Sequence, residues 1–163
     1  MDLFDAIARR ASVRSFKPAQ VSEADMEKIL DAGRRAPSGK NIQPVSYVVI
    51  RSKETLKALS EAQVCIAEAS AAIALAADPA ASPYWLEDAS AAAENMFLAI
   101  KALGYDSVWI EGTLKRIEDK AKALLGVPAG MRLIILLPIG KAAAEAAQKP
   151  KKPLSEIVHW EKW

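Results

Sequence analysis

The chain has 163 residues, a formal net charge of +2 and 52% hydrophobic residues. This length and composition predict a single domain, residues 1–163, with a substantial core, and exclude a mainly disordered chain. The small net charge excludes the strong basic stripe typical of a nucleic-acid-binding protein. The longest apolar run, residues 69–77, is far shorter than the roughly 20 residues that cross a bilayer, so no membrane partner is expected. The single cysteine, Cys65, predicts a cytoplasmic protein without disulfides, with Cys65 in its core.

The first predicted elements are two amphipathic helices. Leu3, Phe4 and Ile7 fall at helical spacing and predict a helix over Asp2–Arg9. A second helix is predicted over Glu23–Arg35, capped by Ser22. Between them, residues 9–15 contain three arginines and two serines. Guanidinium and hydroxyl groups suit phosphate oxygens, so this segment is either an anion site or a solvated basic turn.

The chain is organised around residues 32–50, where a helix ends, a loop follows and a strand begins. Pro37 prevents the helix from continuing, because its ring removes a backbone donor and restrains the preceding residue. The β-branched and aromatic run Val45–Ile50 predicts a strand. The loop between them contains Ser38, Gly39, Asn41 and Gln43. Such a loop can bring backbone and amide groups close to a ligand, or it can be an ordinary surface connection.

The rest of the chain shows further helical and strand patterns, with turns marked by glycine and proline. In order, they predict a helix over Ser52–Glu61, a buried strand over Ala71–Ala76, a long helix from Ser82-Pro83 to Gly104, a strand over Ser107–Ile110, a helix from Thr113 to Leu124 and a strand over Met131–Leu137. The alanine stripe of the long helix predicts a central, buried position with close packing.

The C-terminal segment is apolar but has little structure around it to cover its side chains. Leu154, Ile157, Val158, Trp160 and Trp163 would each gain roughly 1.5–3 kcal/mol from full burial. We therefore expect the tail to dock on a second copy of the chain. The lone histidine, His159, excludes a multi-histidine metal site and leaves little room for a Ser-His-Asp triad. His159 is expected to be an interfacial side chain, and a cofactor is expected to carry any difficult chemistry.

Four separated segments together resemble one family, the FMN-dependent nitroreductases. Arg10–Phe16 resembles the R-x-S-[IV]-R-x-F signature, and Ala36–Pro44 resembles the A-P-S-x-x-N-x-Q-P loop. Asp88–Gly104, followed by Trp109–Gly112, is similar to the family's long helix and W-I-x-G turn. Lys151–Trp160 is similar to its basic tail. The four motifs occur in the family's order and cover essentially the whole chain.

The resemblance implies an FMN site but no catalytic side chain and no metal ligand of the protein itself. The implied FMN-binding residues are Arg10, Ala11, Ser12, Arg14, Pro37, Ser38, Gly39, Asn41, Glu111, Gly112, Lys151 and Lys152. Arg10, Ser12 and Lys151 would bind the phosphate, with Lys152 as the alternative lysine. Arg14 would approach the pyrimidine end of the flavin. The loop from Pro37 to Asn41 would reach the flavin of the other subunit, and the backbone at Glu111 and Gly112 would face the nitrogen that accepts hydride.

The resemblance also implies an architecture and a reaction. The fold would be α+β, with a central, mostly antiparallel sheet wrapped by helices and a C-terminal segment exchanged in a homodimer. The activity would be ping-pong transfer of hydride from NADH or NADPH to a nitroaromatic or quinone-type acceptor. The alternative is a flavin carrier or sensor without productive turnover. The segment between Ala62 and Pro83 is short, whereas many relatives insert helices there that cover the active site and select substrates. The resemblance therefore identifies neither the acceptor nor the preferred nicotinamide nucleotide.

Overall fold

The computed structural model describes all residues, 1–163, and contains five α-helices and five β-strands. The helices are α1 (Leu3–Arg9), α2 (Glu23–Arg34), α3 (Lys53–Leu59), α4 (Trp85–Ala102) and α5 (Glu118–Leu125). The strands are β1 (Phe16–Lys17), β2 (Val45–Ile50), β3 (Ala71–Ala77), β4 (Asp106–Ser107) and β5 (Arg132–Ala142). Short 3-10 turns lie at Gly39–Asn41, Val64–Glu68, Leu114–Ile117 and Leu154–Glu156.

Local side-chain capping explains where several helices begin. Asp2, Ser22 and Ser52 each accept a hydrogen bond from the backbone N–H three residues later, at the starts of α1, α2 and α3. These bonds satisfy donors that the helix itself leaves free. Gly126 ends α5 in the left-handed conformation, with φ of 67°, which glycine adopts without a steric penalty. The cap predicted at Ser22 is therefore confirmed.

The strands form one sheet in the order β1-β5-β3-β2, and β4 also pairs with β5. Every strand pair is antiparallel. Val45 lies opposite Ala77 in the pairing of β2 with β3, and Ala71 lies opposite Ile139 in the pairing of β3 with β5. This arrangement confirms the predicted α+β class with a central antiparallel sheet.

The core consists of two apolar layers, one on each face of the sheet. Residues alternate along β3, so Ala72, Ala74 and Ala76 face one layer while Ile73 and Leu75 face the other. The first layer includes buried side chains of α3 and α5, and the second includes those of α2 and α4. All seven residues of β3 are buried. The prediction of a buried strand here is confirmed, and Cys65 is a buried free thiol as expected.

Two predicted helix starts are wrong. The long helix α4 begins at Trp85, because the Ser82 hydroxyl accepts a hydrogen bond from the Tyr84 N–H at 3.1 Å and closes a turn before the helix. Thr113 makes no side-chain cap, and a 3-10 turn separates it from α5. In both cases the hydroxyl residue lies before the helix, three residues ahead of α4 at Ser82 and five residues ahead of α5 at Thr113.

The strand predicted over Ser107–Ile110 is also only partly correct. Regular pairing stops at Ser107, and the chain meets β5 again only through a bridge between Ile110 and Leu136. Val108 and Ile110 are nevertheless buried in the same apolar layer. The predicted strand is therefore buried as a strand would be, but its pairing with β5 is not continuous.

The single chain leaves its C-terminal tail and part of α1 exposed. Trp160 and Trp163 are 86% and 101% exposed, and Phe4 of α1 is 81% exposed. At the free edge of the sheet, β2 and α2 border an open groove of about 730 Å³ that includes Leu30, Tyr47 and Val49. None of the helices combines the length and apolarity needed to span a membrane.

Candidate cofactor site

Both ends of the chain contribute to one cavity of about 320 Å³. The residues that line this basic cavity come from two segments and are Arg10, Ala11, Ser12 and Arg14, and Ala147, Gln148, Lys149 and Lys151. The structure therefore brings together five of the residues chosen from the sequence. Lys152 does not line the basic cavity, whereas Lys149, which sequence reasoning missed, does.

The segment after α1 is anchored to the domain by two hydrogen bonds from its backbone and by two buried side chains. The Val13 N–H donates to the Ser107 carbonyl at 2.9 Å, and the Phe16 N–H donates to Glu68 Oε2 at 3.0 Å. Val13 and Phe16 are buried, while Ser12 and Arg14 are exposed. Two backbone bonds and two apolar anchors thus hold this segment against the domain.

Arg10 is held on α4 but keeps a free donor. Its guanidinium carbon lies 5.2 Å from the centroid of the Phe97 ring, and its Nε lies 3.7 Å from Glu94 Oε1. That separation is too long for a hydrogen bond. Arg10 Nε is buried and has no hydrogen-bond partner. A buried donor without a partner costs about 1–3 kcal/mol, so an acceptor from a ligand would relieve this cost.

The chemistry of the basic cavity fits the phosphate of FMN. Four of its lining residues are cations, Arg10, Arg14, Lys149 and Lys151, and none is a carboxylate. A phosphate monoester carries roughly two negative charges and three acceptor oxygens at pH 7. Arginine forks and lysine ammonium groups are suitable donors to such oxygens. The free Arg10 Nε is the further observation that supports this fit.

The loop after α2, residues 37–43, has an unusual backbone. Lys40, Asn41 and Gln43 have positive φ values of 52°, 57° and 56°, a region that few non-glycine residues occupy. The Ser38 hydroxyl accepts a hydrogen bond from the Gln43 N–H at 3.1 Å, and the Gly39 N–H donates to Asp88 Oδ1 at 2.9 Å. The loop is therefore closed on itself and fixed to the first turn of α4.

Within one chain, the loop and the basic cavity contact different faces of α4. The loop contacts Asp88, whereas Arg10 contacts Phe97. Nine residues along a helix correspond to two and a half turns, or about 13 Å, so these two positions point to opposite sides. Pro37 and Ser38 line a separate cavity of about 70 Å³ beside Asp88. One chain alone thus does not bring the loop to the basic cavity.

Glu111 and Gly112 lie in the turn that follows the bridge between Ile110 and Leu136. Glu111 forms an ion pair of 2.7 Å with Lys115, and the hydrogen bond from Lys115 lowers the pKa of the Glu111 carboxyl. The position of a Cβ at Gly112 would face open space. This turn lines neither the basic cavity nor the cavity beside Asp88.

Comparison with known proteins identifies the family. The model of the nitroreductase family matches residues 7–75 and 62–141. A protein of Archaeoglobus fulgidus with the provisional name NADH dehydrogenase/NAD(P)H nitroreductase is 38% identical over 169 residues, covering 96% of both chains. The NADH dehydrogenase of Thermus thermophilus is 28% identical over 204 aligned positions, covering 98% of this chain and 96% of its own.

The fold comparison agrees with the sequence comparison. The solved structure of an FMN-dependent nitroreductase from Clostridium difficile has a TM-score of 0.89 and 27% identity, covering 98% of this chain and 99% of its own. The match of fold, family model and relatives extends over nearly the whole sequence. The chain belongs to the nitroreductase family.

Proposed function

We propose that this protein is an FMN-dependent NAD(P)H oxidoreductase that reduces small nitroaromatic or quinone-type acceptors. The observation that carries the proposal is the buried Nε of Arg10, which has no hydrogen-bond partner, in a cavity lined by four cations from both ends of the chain. The names of the relatives support the class of activity, since they include NAD(P)H nitroreductases and an FMN-dependent nitroreductase.

In this proposal the chain's own residues bind and orient the cofactor. Arg10, Ser12 and Lys151 bind the phosphate, with Lys149 and Lys152 as nearby cations. Arg14 offers a fixed positive charge to the pyrimidine end, where such a charge favours a reduced, anionic ring. When bound, FMN supplies the exchange of hydride with NADH or NADPH and the delivery of electrons to the acceptor in a ping-pong cycle. The protein supplies position and electrostatics rather than an acid or base.

We propose further that the working unit is a homodimer with exchanged C-terminal segments. The loop of residues 37–43 lies on the opposite side of α4 from Arg10, so a second copy is required to place a loop against the flavin. The exposed tail with Trp160 and Trp163 supplies apolar surface for such an assembly. The groove between α2 and the free edge of β2 offers apolar side chains to a tail from the partner, and the edge strand offers it unpaired backbone groups.

The connection between α3 and β3 supports an open active site. It consists of a short 3-10 turn, Val64–Glu68, and no inserted helix. The alignment with the Thermus relative extends over 204 positions although this chain has 163 residues, so the relative has segments that this chain lacks. An open site would admit planar acceptors of several sizes.

The decisive experiment is an anaerobic titration of the protein, reconstituted with FMN, with NADH and with NADPH. We expect the oxidised flavin absorbance to be lost with at least one nucleotide and to return when a quinone or nitroaromatic compound is added. A protein that binds FMN but stays oxidised with excess of both nucleotides would be a carrier or sensor. A protein that binds no FMN at micromolar excess would contradict both functions.

A further inference from the structure

Two side chains at the start of α4 hold the loop of residues 37–43 from outside. Asp88 Oδ1 accepts the hydrogen bond from the Gly39 N–H at 2.9 Å. The ring of Tyr84 covers Gly39 so closely that a Cβ at Gly39 would lie 2.2 Å from Tyr84 Cδ2. Gly39 is therefore fixed by a hydrogen bond on its N–H and by an aromatic ring beside its Cα.

The backbone of the loop depends on outside support. Lys40, Asn41 and Gln43 all have positive φ values. Asparagine adopts this region more readily than other non-glycine residues, but at Lys40 and Gln43 it is strained and requires support from the surroundings. The bonds from the Gln43 N–H to Ser38 and from the Gln43 side chain to the Asn41 carbonyl close the loop on itself. These two bonds lie within the loop and do not attach it to the rest of the domain. The bond to Asp88 makes that attachment.

Asp88 is an unusual residue for the buried face of an alanine-rich helix. The residue is 6% exposed, and its second oxygen, Oδ2, is buried without a hydrogen-bond partner. Asp88 also lines the small cavity of about 70 Å³ beside Ser38 and Gln43. Burial of a carboxylate with an unpaired oxygen is costly. The hydrogen bond from the Gly39 N–H is the only one that the Asp88 side chain makes, and Asp88 takes part in no salt bridge.

We propose that Asp88 is a positioning residue that fixes the loop in the shape needed to contact the flavin of the neighbouring subunit. This inference rests on the proposed function, because the loop has a flavin to contact only if the protein binds FMN. In each chain, α4 then serves two cofactors at once. Its Phe97 side supports Arg10 at the chain's own phosphate site, and its Asp88 side supports the loop that completes the partner's site.

The first test uses three variants of the full chain. Asp88→Ala removes the acceptor, Asp88→Asn keeps a carbonyl oxygen of the same size, and Glu87→Gln is the control on the exposed face of the same helix. We expect Asp88→Ala to bind FMN at least tenfold more weakly and to change the visible circular dichroism of the bound flavin. Asp88→Asn should stay within about threefold of the parent, and Glu87→Gln should match it. Parental affinity in Asp88→Ala, or equal losses in the Ala and Asn variants, would overturn the proposal.

The second test does not depend on whether Asp88→Ala folds. Amide exchange measured by NMR on the unmodified protein should show a protected Gly39 N–H. Rapid, unprotected exchange at Gly39 would overturn the assignment. If the unmodified protein binds no FMN, the proposed function fails. If it binds FMN but the amide of Gly39 exchanges rapidly, only the role of Asp88 is refuted.

A mixed dimer tests whether the loop acts across the interface. A dimer of one Arg10→Ala chain and one Asp88→Ala chain should contain one intact site, since the intact arginine and the intact loop come from different chains. We expect half of its sites to bind FMN with parental affinity. If both sites are weakened equally, the loop acts within its own chain and the proposal is wrong.

Discussion

Arg10 lies over the ring of Phe97, with the guanidinium carbon 5.2 Å from the ring centroid. This contact fixes the direction of a side chain whose Nε has no hydrogen-bond partner within the chain and lies 3.7 Å from Glu94 Oε1. A guanidinium held in this way loses little conformational entropy when an anion binds. The contact thus connects the long helix α4 with the proposed phosphate site.

Removing the Arg10 side chain should weaken FMN binding. A charge-assisted hydrogen bond contributes about 1.5–3 kcal/mol, so Arg10→Ala should lose roughly one to two orders of magnitude in affinity. Fluorescence titration of FMN measures this change. Arg9→Ala is the matched control, because Arg9 is the neighbouring arginine but does not line the basic cavity. Equal effects of the two substitutions would show that only net charge matters.

The two tail lysines chosen from the sequence should differ. Lys151 lines the basic cavity and Lys152 does not. We expect Lys151→Ala to weaken FMN binding by about 1 kcal/mol or more, and Lys152→Ala to have a smaller effect that disappears as salt increases. Titrations at low and high ionic strength measure both. A larger effect at Lys152 would place the phosphate nearer to the alternative lysine.

Deletion of the apolar tail should remove the dimer and the cofactor together. Without residues 154–163, the proposed exchange cannot occur, and we expect aggregated or monomeric protein free of flavin. Light scattering coupled to size-exclusion chromatography measures the mass, and absorbance at visible wavelengths reports the flavin. The exposed Trp160 and Trp163 make Trp160→Ser with Trp163→Ser a milder companion variant. A stable yellow dimer after the deletion would refute the exchanged tail.

Gly39 should tolerate no side chain while Tyr84 is present. A Cβ at Gly39 would lie 2.2 Å from Tyr84 Cδ2, so Gly39→Ala must displace the ring or the loop. Such crowding typically costs about 1–3 kcal/mol. We expect lower thermal stability and weaker FMN binding in Gly39→Ala, with partial recovery in the double variant Gly39→Ala, Tyr84→Ala. No recovery in the double variant would mean that Tyr84 is not the obstacle.

The pair of Glu118 and Arg132 should make stability depend on acid pH. The hydrogen bond from Arg132 lowers the pKa of the Glu118 carboxyl, and the Leu133 N–H also donates to it. A carboxyl with a lowered folded-state pKa stabilises the fold fully above its unfolded pKa, about 4.3, and this stabilisation is lost as pH falls through the folded value.

Glu118→Gln should therefore reduce stability by roughly 1 kcal/mol at pH 7, since Arg132 is partly exposed and its charge is screened. As the pH is lowered below about 5, the free energy of unfolding should also fall less in the variant than in the parent. Thermal unfolding at a series of pH values measures both effects. Glu27→Gln, at an exposed position of α2, is a control for the loss of one carboxylate. Parallel pH profiles of parent and Glu118→Gln would show that the pair does not contribute.

Local patterns in the sequence were sufficient for much of the fold. The strand Val45–Ile50 and the cap at Ser22 were predicted with the observed bounds, because β-branched runs and capping hydroxyls act over a few residues. The starts at Ser82 and Thr113 were wrong for the complementary reason. A serine or threonine can precede either a helix or a short turn, and tertiary packing decides which of the two forms. The local sequence does not show this outcome.

The candidate site was likewise predicted only in part from the sequence. Arg10, Ser12 and Lys151 line one cavity, although nothing local in the sequence links residues 141 positions apart, and their contact with FMN stays a prediction. Asp88 and Lys149 were missed. The sequence did contain a signal for Asp88, because a carboxylate among the buried alanines of α4, such as Ala89 and Ala92, is unusual. The meeting of the loop with the flavin depends on a second chain and stays a prediction, as does the cytoplasmic location.

The alanine face of β3 limits which substitutions this strand can accept. Ala72, Ala74 and Ala76 are buried against one layer of the core, so truncation there can remove at most a methyl group. A larger side chain at any of these positions would have to displace a neighbouring strand or helix. Random mutagenesis should thus find Ala→Gly milder than Ala→Val in this strand, and natural variation should proceed through paired changes in which a facing side chain shrinks first.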